Sequence, residues 1–385
     1  MKVLSIINFT NIDDYNSDSG YIFNYILMEE FQKSGNTFGV IIPNQLLQKE
    51  CKFKSNVYYV NLGTTKYEAR FGFDWKGIEN AIIDFNPDYI LLNECEMAVA
   101  IRLLLNGVGK SGVKIASYCH YPAIQSDCYG NVDVDESLND LNVGQIIVAR
   151  ILDAVNISDC FFIQSQYAKD LLIKYAKKIN YNLKRTINVV SPPFDPFLLS
   201  NKKNSGNKII YNHRLYELYG AKYIIKTVEM LPQIDFLILN PMMHRSRRRG
   251  NTKTDPMVFC DTLNRFKNAC VVDGSESRKK YKEYLERGKI GIAAYRTNCV
   301  WSMSVIDCVC ENVPVIAPNF AAYTEMIPEM LRFNSIQEEI ELIKKLLTND
   351  DFYQNVLNEE RKILSRLKPS TIFQKLYKVM EGQNE

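Results

Sequence analysis

Short apolar runs alternate along this chain with longer segments in which apolar residues recur at helical spacing. The first amphipathic segment, residues 21–34, separates the apolar runs 2–8 and 37–42. Further runs of this kind cover residues 57–60, 89–92, 114–118 and 160–164. Each run is apolar on both faces, which is typical of parallel strands covered by helices. The alternation therefore predicts right-handed βαβ units in a doubly wound sheet.

The pattern stops once, near the middle of the chain, and then starts again. Residues 189–196 contain three prolines, and proline lacks the N–H group that a helix interior or a central strand needs. A polar stretch, 201–207, follows. The later strand candidates cover residues 208–211, 235–239, 290–294 and 313–318, and two charged helices, 336–347 and 351–367, come last.

A chain of 385 residues is long enough for two domains, each with its own core. We predict an α/β protein with two Rossmann-like, doubly wound domains, 1–198 and 199–367, facing each other across a cleft. A last helix, at about 368–385, is predicted to pack back on the first domain. Such sheets bind ligands at the carboxyl ends of their strands, so the residues just after each strand are the first candidates for a site.

Composition excludes several classes of protein. The formal net charge of +3 is too small to indicate a nucleic-acid partner by itself, so any basic surface must be local. No apolar run reaches the roughly 18 residues that a membrane span needs. Ten cysteines without a CxxC pair and three unpaired histidines argue against a metal site. These features predict a cytoplasmic protein with reduced thiols.

Arg214 directly follows the first predicted strand of the second half. An arginine at the carboxyl end of a strand can bind phosphate oxygens in bidentate fashion. Gly220 and Lys222 follow where the next helix is predicted to begin, which adds a second cation close by. The alternative is a surface arginine that caps the strand.

Three regions of the first half carry polar residues where predicted strands end or helices begin. His120 follows a strand and is a versatile hydrogen-bonding group, although a lone histidine can be purely structural. Asp18 and Gly20 open a helix whose N-terminus could hold an anion, or they form a simple turn. Glu94 ends a strand and could equally complement a helix dipole. The chain has no GxGxxG, so a dinucleotide fingerprint is absent.

The stretch 298–317 contains an acid, Asp307, on a short apolar helix that leads through a tight turn to a strand opened by Pro314. A carboxylate can hold a pair of ligand hydroxyls, and a helix N-terminus can hold an anion. That combination suits a sugar nucleotide, which has a ribose diol and a diphosphate. The alternative is an ordinary helix–turn–strand unit with an exposed Asp. The polar and aromatic residues ahead of the acid are Asn298, Cys299, Trp301, Ser302 and Ser304.

The densest basic cluster follows the predicted strand 235–239. Five cationic positions in a short loop could bind the phosphates of a nucleotide or of a nucleic-acid backbone. The alternative is a solvated loop. These positions are His244, Arg245, Arg247, Arg248 and Arg249.

At these residues the chain resembles glycosyltransferases of the GT-B fold, specifically those of family 4. The stretch 299–307 is similar to the Glu-x7-Glu motif of that family, with Asp307 at the second acid and Cys299 in place of the first Glu. Trp301 and Ser302 fall on the usual Phe-Gly of the motif. Glu325 falls on the acid of the family's Gly-Gly-x-x-Glu segment.

Two further segments carry the resemblance. Arg214 falls on the family's diphosphate-binding Arg, but the Lys usually found five residues later is Tyr219 here, which leaves Lys222 as its candidate substitute. His120 and the following Tyr-Pro are similar to the His-Tyr-Pro segment of eukaryotic mannosyltransferases in that family.

The resemblance implies an enzyme that moves a sugar from a UDP-, GDP- or ADP-sugar to an acceptor hydroxyl with retained configuration. It implies no metal and no cofactor beyond the donor. Asp307 would hold the ribose diol, while Arg214 and a second cation would neutralise the leaving diphosphate. His120 would contact the sugar or the acceptor. The acceptor side would be formed by Asp18, Gly20, Glu94 and His120. The other donor-side residues would be Lys222, Asn298, Cys299, Trp301, Ser302, Ser304 and Glu325.

The acceptor remains open between a glycan and a modified nucleic-acid base. The triplet Asn212-His213-Arg214 also resembles glycosyltransferases that decorate modified nucleosides in tRNA. Phage enzymes that glycosylate hydroxymethylated DNA bases are GT-B proteins too, and a phage protein would work in the host cytoplasm. Such an enzyme must reach a base, which normally means extruding it from the stack.

Two other functions stay open. Cys299 and Tyr219 depart from the family pattern, so the chain could be a catalytically degenerate GT-B protein that only binds a sugar nucleotide or a nucleic acid. It could also be a nucleotide-sugar epimerase of the same fold, which would release a free-sugar product without an added acceptor.

Overall fold

The computed structural model describes residues 1–8, 15–63, 68–135, 143–202, 205–239, 256–273 and 277–383. The chain forms two compact units, Met1–Pro193 with Pro369–Glu385, and Phe194–Lys368. The bounds predicted from the sequence lie at 198 and 367.

The first unit contains a seven-stranded parallel sheet and a two-stranded hairpin. In chain order its strands are β1 (Lys2–Ile6), β2 (Thr37–Pro43), β3 (Val57–Val60), β4 (Tyr89–Leu92), β5 (Lys114–Cys119), β6 (Ile124–Ser126), β7 (Val132–Val134), β8 (Cys160–Ile163) and β9 (Ile187–Val189). The sheet order is β3-β2-β1-β4-β5-β8-β9, and β6 pairs with β7. Because β1 lies between β2 and β4, the winding direction reverses there, as in a doubly wound fold.

Helices pack against this sheet. They are α1 (Ser19–Lys33), α2 (Glu68–Phe71), α3 (Trp75–Phe85), α4 (Ala98–Gly107), α5 (Val143–Ile157) and α6 (Gln166–Lys178). Side-chain caps set where two of them begin. Asp18 accepts hydrogen bonds from the backbone N–H groups of Gly20 and Tyr21, at 2.9 and 3.1 Å, and Ser165 caps α6 by accepting from Ala168 at 3.1 Å.

The second unit contains a six-stranded parallel sheet. Its strands are β10 (Lys208–Tyr211), β11 (Phe236–Leu239), β12 (Ala269–Val272), β13 (Gly288–Ile292), β14 (Val315–Pro318) and β15 (Arg332–Phe333). They are ordered β12-β11-β10-β13-β14-β15, so the winding reverses at β10. The carboxyl ends of β10 and β13 flank this reversal, which is where an open α/β sheet places its ligand crevice.

The helices of the second unit are α7 (Ala221–Met230), α8 (Pro256–Leu263), α9 (Arg278–Leu285), α10 (Met303–Cys310), α11 (Tyr323–Met326), α12 (Ile336–Thr348) and α13 (Asp350–Arg366). Ser277 and Ser302 cap α9 and α10 through their hydroxyl oxygens, which accept from Lys280 and Val305. The prediction of two Rossmann-like, doubly wound domains is confirmed. No helix among the described residues combines the length and apolar character that crossing a bilayer requires.

The last helix, α14 (Pro369–Met380), belongs to the first unit. Its Phe373 ring lies 4.9 Å from the ring of Phe31 on α1, edge to face. At its end, the carbonyl of Met380 accepts a hydrogen bond from the hydroxyl of Tyr89 on β4. The chain therefore returns to its first sheet after completing the second unit.

Candidate functional site

Two loops meet at the carboxyl ends of the central strands in the second unit. Strands β10 and β13 pair in parallel, with Ile209 opposite Ile290, so their carboxyl ends are neighbours. Gly220, which precedes α7, has a positive φ of 71°, and a Cβ atom there would come within 2.6 Å of the Cβ of Tyr295 in the loop after β13. Any other residue at 220 would push the two loops apart.

Arg214 lies in the loop after β10 and is half-buried. Among the described residues, no hydrogen bond or ion pair involves its guanidinium group. The N-terminus of α7 follows in the same loop, and no side chain caps it. A guanidinium and uncapped N–H groups are the two features that make a site attractive to phosphate.

Arg296, in the loop after β13, is a cation that the sequence-based prediction omitted. Its Nε donates to Asn298 Oδ1 at 2.8 Å, and its Nη1 donates to the hydroxyl of Tyr219 at 3.2 Å. Its guanidinium carbon also lies 4.8 Å from the centre of the Tyr219 ring. The position where the resemblance expects a lysine therefore holds a tyrosine that contacts an arginine from the neighbouring loop.

His213 is 5% exposed, and its Nε2 has no hydrogen-bond partner among the described residues. Burial, and then the charge of Arg296, lowers the pKa of His213 to about 3. The imidazole is therefore neutral at physiological pH. An unsatisfied polar atom beside Arg296 indicates a place where a ligand or water would complete the hydrogen bonding.

Lys222, the predicted second cation, lies at the start of α7 and is exposed. Its ammonium group forms an ion pair with Glu217 in the preceding turn. The structure thus pairs Lys222 with an acid, whereas no acid in the described part of the chain pairs with Arg214.

Asp307 on α10 belongs to a buried network. Arg278, the first residue of α9, donates to both carboxylate oxygens of Asp307, at 3.2 and 3.4 Å, and its Nε donates to Asp195 at 2.9 Å. The hydroxyl of Tyr281 donates to Asp307 Oδ2 at 3.2 Å. The side chain of Asp307 is only 6% exposed. Burial raises the pKa of Asp307, and the nearby Arg278 opposes that rise.

This network joins three pieces of the second unit. Asp195 also caps the turn Pro196–Leu198, because its Oδ1 accepts from the Phe197 N–H group at 3.0 Å. Asn212 donates to the Tyr281 hydroxyl and to the Ser304 carbonyl, both at 2.8 Å. Asp307 already accepts from Arg278 and Tyr281 inside the unit, and nothing described contacts it from outside, so the predicted ribose contact stays a prediction.

The remaining donor-side residues surround the start of α10. Cys299 is 1% exposed, and burial raises the pKa of its thiol, so it is a neutral, enclosed group. Asn298 is buried against Arg296, and Trp301 is half-buried with an unpartnered Nε1. Ser302 caps α10, as described above. Glu325 lies exposed on α11.

In the first unit, polar groups at the strand ends hydrogen-bond to one another. His120 Nε2 lies 3.1 Å from Asn93 Oδ1, and Gln164 Nε2 lies 3.3 Å from His120 Nδ1. Asn93 Nδ2 donates to Ser5 and Ile6, so Asn93 Oδ1 must accept, and His120 is the Nε2–H tautomer. Burial lowers the pKa of His120 to about 4, in keeping with a neutral ring. Neither ring nitrogen is left to exchange a proton with a substrate.

Glu94 and Glu96 share one cation. Arg70 Nε donates to Glu96 at 3.0 Å, and its Nη2 lies 4.0 Å from Glu94. Burial, and then the charge of Glu96, raises the pKa of Glu94 to about 8, with a further contribution from Asp18. At neutral pH Glu94 therefore carries a proton and can donate a hydrogen bond. Gly20, at the start of α1, donates its N–H to Asp18.

The predicted basic cluster cannot be placed. Its members, His244, Arg245, Arg247, Arg248 and Arg249, lie outside the described residues. Within the described ranges, no group of three or more His, Cys, Asp or Glu side chains gathers as a metal site would require.

Comparison with known proteins gives a fold but no family. No protein-family model matches the chain, and no curated protein matches it by sequence. Sucrose-phosphate synthase from Thermosynechococcus elongatus superposes with a TM-score of 0.76 at 11% identity, over 99% of this chain and 98% of that one. Anabaena HepE in complex with UDP-glucose has a TM-score of 0.69 at 11% identity, over 99% and 100% of the two chains. UDP-GlcNAc 2-epimerase from Neisseria meningitidis has a TM-score of 0.58 at 12% identity, over 99% and 100%. The chain has the GT-B fold.

Proposed function

We propose that the protein is a glycosyltransferase that moves a sugar from a nucleoside-diphosphate sugar to an acceptor hydroxyl. The observation that carries this proposal is Arg214, which has no partner among the described residues and stands at the switch point of the second sheet, beside the uncapped start of α7. The full-length likeness to a GT-B protein in complex with UDP-glucose supports it. Retention of configuration rests on the resemblance to family 4 alone.

During sugar transfer, negative charge develops on the diphosphate of the donor. The bond between the anomeric carbon and the β-phosphate oxygen breaks, and its electron pair stays on the diphosphate. A new bond forms between the anomeric carbon and the acceptor oxygen, whose proton leaves. Fixed positive charge at the diphosphate lowers the barrier, because it stabilises the charge that develops there. Arg214 and the N-terminus of α7 would supply that charge.

Two of the polar groups predicted for the acceptor side, His120 and Glu94, are neutral at physiological pH. His120 has a lowered pKa of about 4, and Glu94 a raised pKa of about 8. Neutral hydrogen-bonding groups suit the hydroxyls of an acceptor better than they suit an anion. We therefore propose that Glu94 donates a hydrogen bond to an oxygen of the acceptor. His120 would act on the acceptor only through the side-chain amides of Asn93 and Gln164, which hold its ring.

The identity of the acceptor is proposed as a glycan or a modified nucleic-acid base. If the acceptor is nucleic acid, neutralising the cluster 245–249 should weaken DNA or RNA binding and flatten its dependence on salt. Binding that is unchanged at low salt would remove that role. UDP-, GDP- and ADP-sugars remain equal candidates for the donor.

A second candidate function is a binding module without transfer activity. Two observations favour it: Cys299, at the position of the first motif acid, is enclosed, and Asp307, at the second, is engaged by Arg278. Such a protein would bind a sugar nucleotide through Arg214 without turning it over.

A donor screen separates these functions. The purified protein is incubated with UDP-, GDP- and ADP-sugars, and release of the nucleoside diphosphate is measured with glycans, with hydroxymethylated DNA and without acceptor. Acceptor-dependent release supports the transferase, and binding without release under every condition supports the module. A free-sugar product without acceptor would instead identify an epimerase. If no sugar nucleotide binds, the proposed function is wrong.

A further inference from the structure

Hydrogen bonds join polar residues at the carboxyl ends of neighbouring strands in the first unit. The strands β1, β4, β5 and β8 are adjacent in its sheet. Asn93 directly follows β4, His120 directly follows β5, and Gln164 directly follows β8. Asn24 on α1 joins them, because its Nδ2 donates to Asn93 Oδ1 at 2.8 Å. These four residues, Asn24, Asn93, His120 and Gln164, form a polar relay.

Two backbone carbonyls fix the direction of the hydrogen bonds in the relay. A carbonyl oxygen can only accept, so it determines the orientation of the amide that donates to it. Asn24 Nδ2 donates to the carbonyl of Gly20 at 2.7 Å, and Asn93 Nδ2 donates to that of Ile6 at 3.0 Å. Asn93 therefore presents its Oδ1 to His120 Nε2, at 3.1 Å.

This orientation determines the other end of the relay as well. Because His120 Nε2 donates to Asn93, Nδ1 of the neutral ring must accept. Gln164 then has to present its NH₂ group, and its Nε2 lies 3.3 Å from His120 Nδ1. The side chains of Asn93 and Gln164 are buried, so water does not readily replace a lost partner. Each member therefore depends on the orientation of the next.

The relay ends beside the two segments that are proposed to contact the acceptor. Asn93 directly precedes Glu94, whose side chain is 24% exposed and so is accessible to a ligand. Asn24 holds the carbonyl of Gly20 in the first turn of α1. At the opposite end, Gln164 follows β8, a strand whose carboxyl end carries none of the acceptor residues predicted from the sequence.

We propose that Gln164 is a positioning residue of the acceptor side. By donating to Nδ1, it holds His120 in the Nε2–H tautomer that Asn93 Oδ1 requires. Through Asn93 the relay then fixes Glu94, the next residue in the chain. The acceptor role rests on the proposed function, since it concerns the acceptor side of that transferase. The tautomer follows from the hydrogen bonds alone.

Nitrogen magnetic resonance of the full-length protein, labelled at histidine, tests the tautomer. In the wild type, His120 should carry its proton on Nε2 and none on Nδ1 between about pH 5.5 and 8. Gln164→Glu places a carboxylate, which can only accept, against Nδ1. This change should put a proton on Nδ1 and raise the pKa of His120 by about 1–3. The matched control, Gln166→Met, changes an exposed glutamine and should leave both properties unchanged.

Steady-state kinetics and calorimetric titration test the acceptor role. The acceptor is the glycan or hydroxymethylated DNA that gives the fastest release in the donor screen, and the titrants are UDP, GDP and ADP. Gln164→Met removes the amide but keeps the length of the side chain. It should raise the KM for the acceptor about threefold to tenfold, as expected when a neutral hydrogen bond is lost. Diphosphate affinity should stay within about twofold, because the predicted diphosphate residues belong to the second unit.

The outcomes separate the inference from the proposed function. If wild-type His120 carries its proton on Nδ1, or if Gln164→Glu changes neither its tautomer nor its pKa, the inference is wrong whatever the activity. If the wild type binds none of the diphosphates, the proposed function and the acceptor role both fail, and the resonance experiment still decides the tautomer.

An active transferase allows a sharper decision. If Gln164→Met keeps the wild-type KM for the acceptor, or if it loses as much affinity for the diphosphate as for the acceptor, only the positioning role is wrong. A thermal melt checks that each variant is folded. Should Gln164→Met not fold, Gln164→Glu decides by the same kinetics: a raised KM for the acceptor supports the role, and an unchanged KM contradicts it.

Discussion

In two regions of the second unit, arginine side chains have opposite surroundings. In the buried network, Arg278 faces two carboxylates, Asp195 and Asp307, and its side chain is 16% exposed. At the strand ends, Arg214 has no hydrogen bond or ion pair with another described residue. Arg278 therefore helps to hold the unit together, whereas we expect the charge of Arg214 to be available to an incoming anion.

The contrast shows that an acidic residue in a family motif can either contact a ligand or belong to an internal network. Asp307 falls where the resemblance expects a ligand contact, yet its oxygens accept from Arg278 and Tyr281. A buried charge without its partner is costly, so an acid and an arginine that pair internally depend on each other. Charge that is left unpaired at a strand end has no such internal role. We therefore expect internal pairing, rather than position in a motif, to distinguish structural residues from ligand-binding ones here.

The largest effect is expected from breaking the buried network. Arg278→Met leaves Asp195 and Asp307 buried without a cation, which should lower the free energy of unfolding by about 3–5 kcal/mol. Denaturant titration followed by circular dichroism measures this. The matched control is Lys279→Met, an exposed neighbour on the same helix, which should change stability by less than about 0.5 kcal/mol. Equal stability of both variants would show that the network is not structural.

The opposite result is expected at the strand ends. Arg214→Gln should leave the free energy of unfolding within about 0.5 kcal/mol, because no described interaction is lost. It should weaken binding of a nucleoside diphosphate about 10- to 100-fold, since a bond between charged groups disappears. Calorimetric titration measures the affinity. Arg287→Gln is the control, an exposed arginine that precedes β13 at the opposite edge of the sheet. If Arg214→Gln binds the nucleoside diphosphate as tightly as the wild type, Arg214 does not contact the ligand, and the two regions do not differ in the way that we propose.

Most of the fold could be predicted from the sequence, because apolar runs and the helical spacing of apolar residues are local signals. Apolar runs of four to seven residues became β1, β2, β4, β10 and β11, and each of these five strands is buried on both faces. The short strands β9, β12 and β15 and the hairpin of β6 and β7 escaped prediction. Only two to four residues long, they carry too little apolar pattern to stand out from loops. These segments form strands because they pair with strands that lie elsewhere along the chain.

The sequence did not predict which residues contact the candidate site residues. Arg214 was selected because it follows a strand, which is a local signal. Arg296 also follows a strand, but it lies four residues from the strand end, and its contact with Tyr219 spans 77 positions. Likewise, Asp195 and Arg278 lie 83 positions apart. Both pairings depend on the order of strands in the sheet, which no spacing rule reveals. A search for arginines in the loops that follow adjacent central strands would have found Arg296.

A smaller effect is expected when Asp307 alone is changed. Asp307→Asn keeps the size of the side chain but removes the charge that faces Arg278, which should cost about 1–3 kcal/mol of unfolding free energy. Its effect on nucleoside diphosphate affinity should stay within about threefold, because both carboxylate oxygens are engaged internally. Inorganic pyrophosphate, which lacks ribose, is titrated in parallel. If Asp307→Asn weakens the nucleoside diphosphate more than tenfold and leaves pyrophosphate unchanged, then Asp307 binds ribose, and the division between the two regions is wrong.

The titration of the histidines tests the comparison in a different way. His213 lies beside Arg296, with a pKa of about 3, and His120 lies among the amides of the first unit, with a pKa of about 4. Both values are below the ordinary 6.5. Between the folded and unfolded values the unfolded chain therefore binds more protons, and stability should fall as the pH drops below about 6.5.

A bound anion should act on only one of the two histidines. A diphosphate bound by Arg214 would add negative charge close to His213, the preceding residue, and this charge favours the imidazolium and should raise the pKa of His213. His120 should titrate as before, because its neighbours Asn93 and Gln164 are neutral. Nuclear magnetic resonance can follow both rings with and without UDP, since the chain has only three histidines, and His→Gln variants assign the signals. A shift of His120 alone, or of neither ring while UDP is bound, would place the anion away from His213 and Arg214.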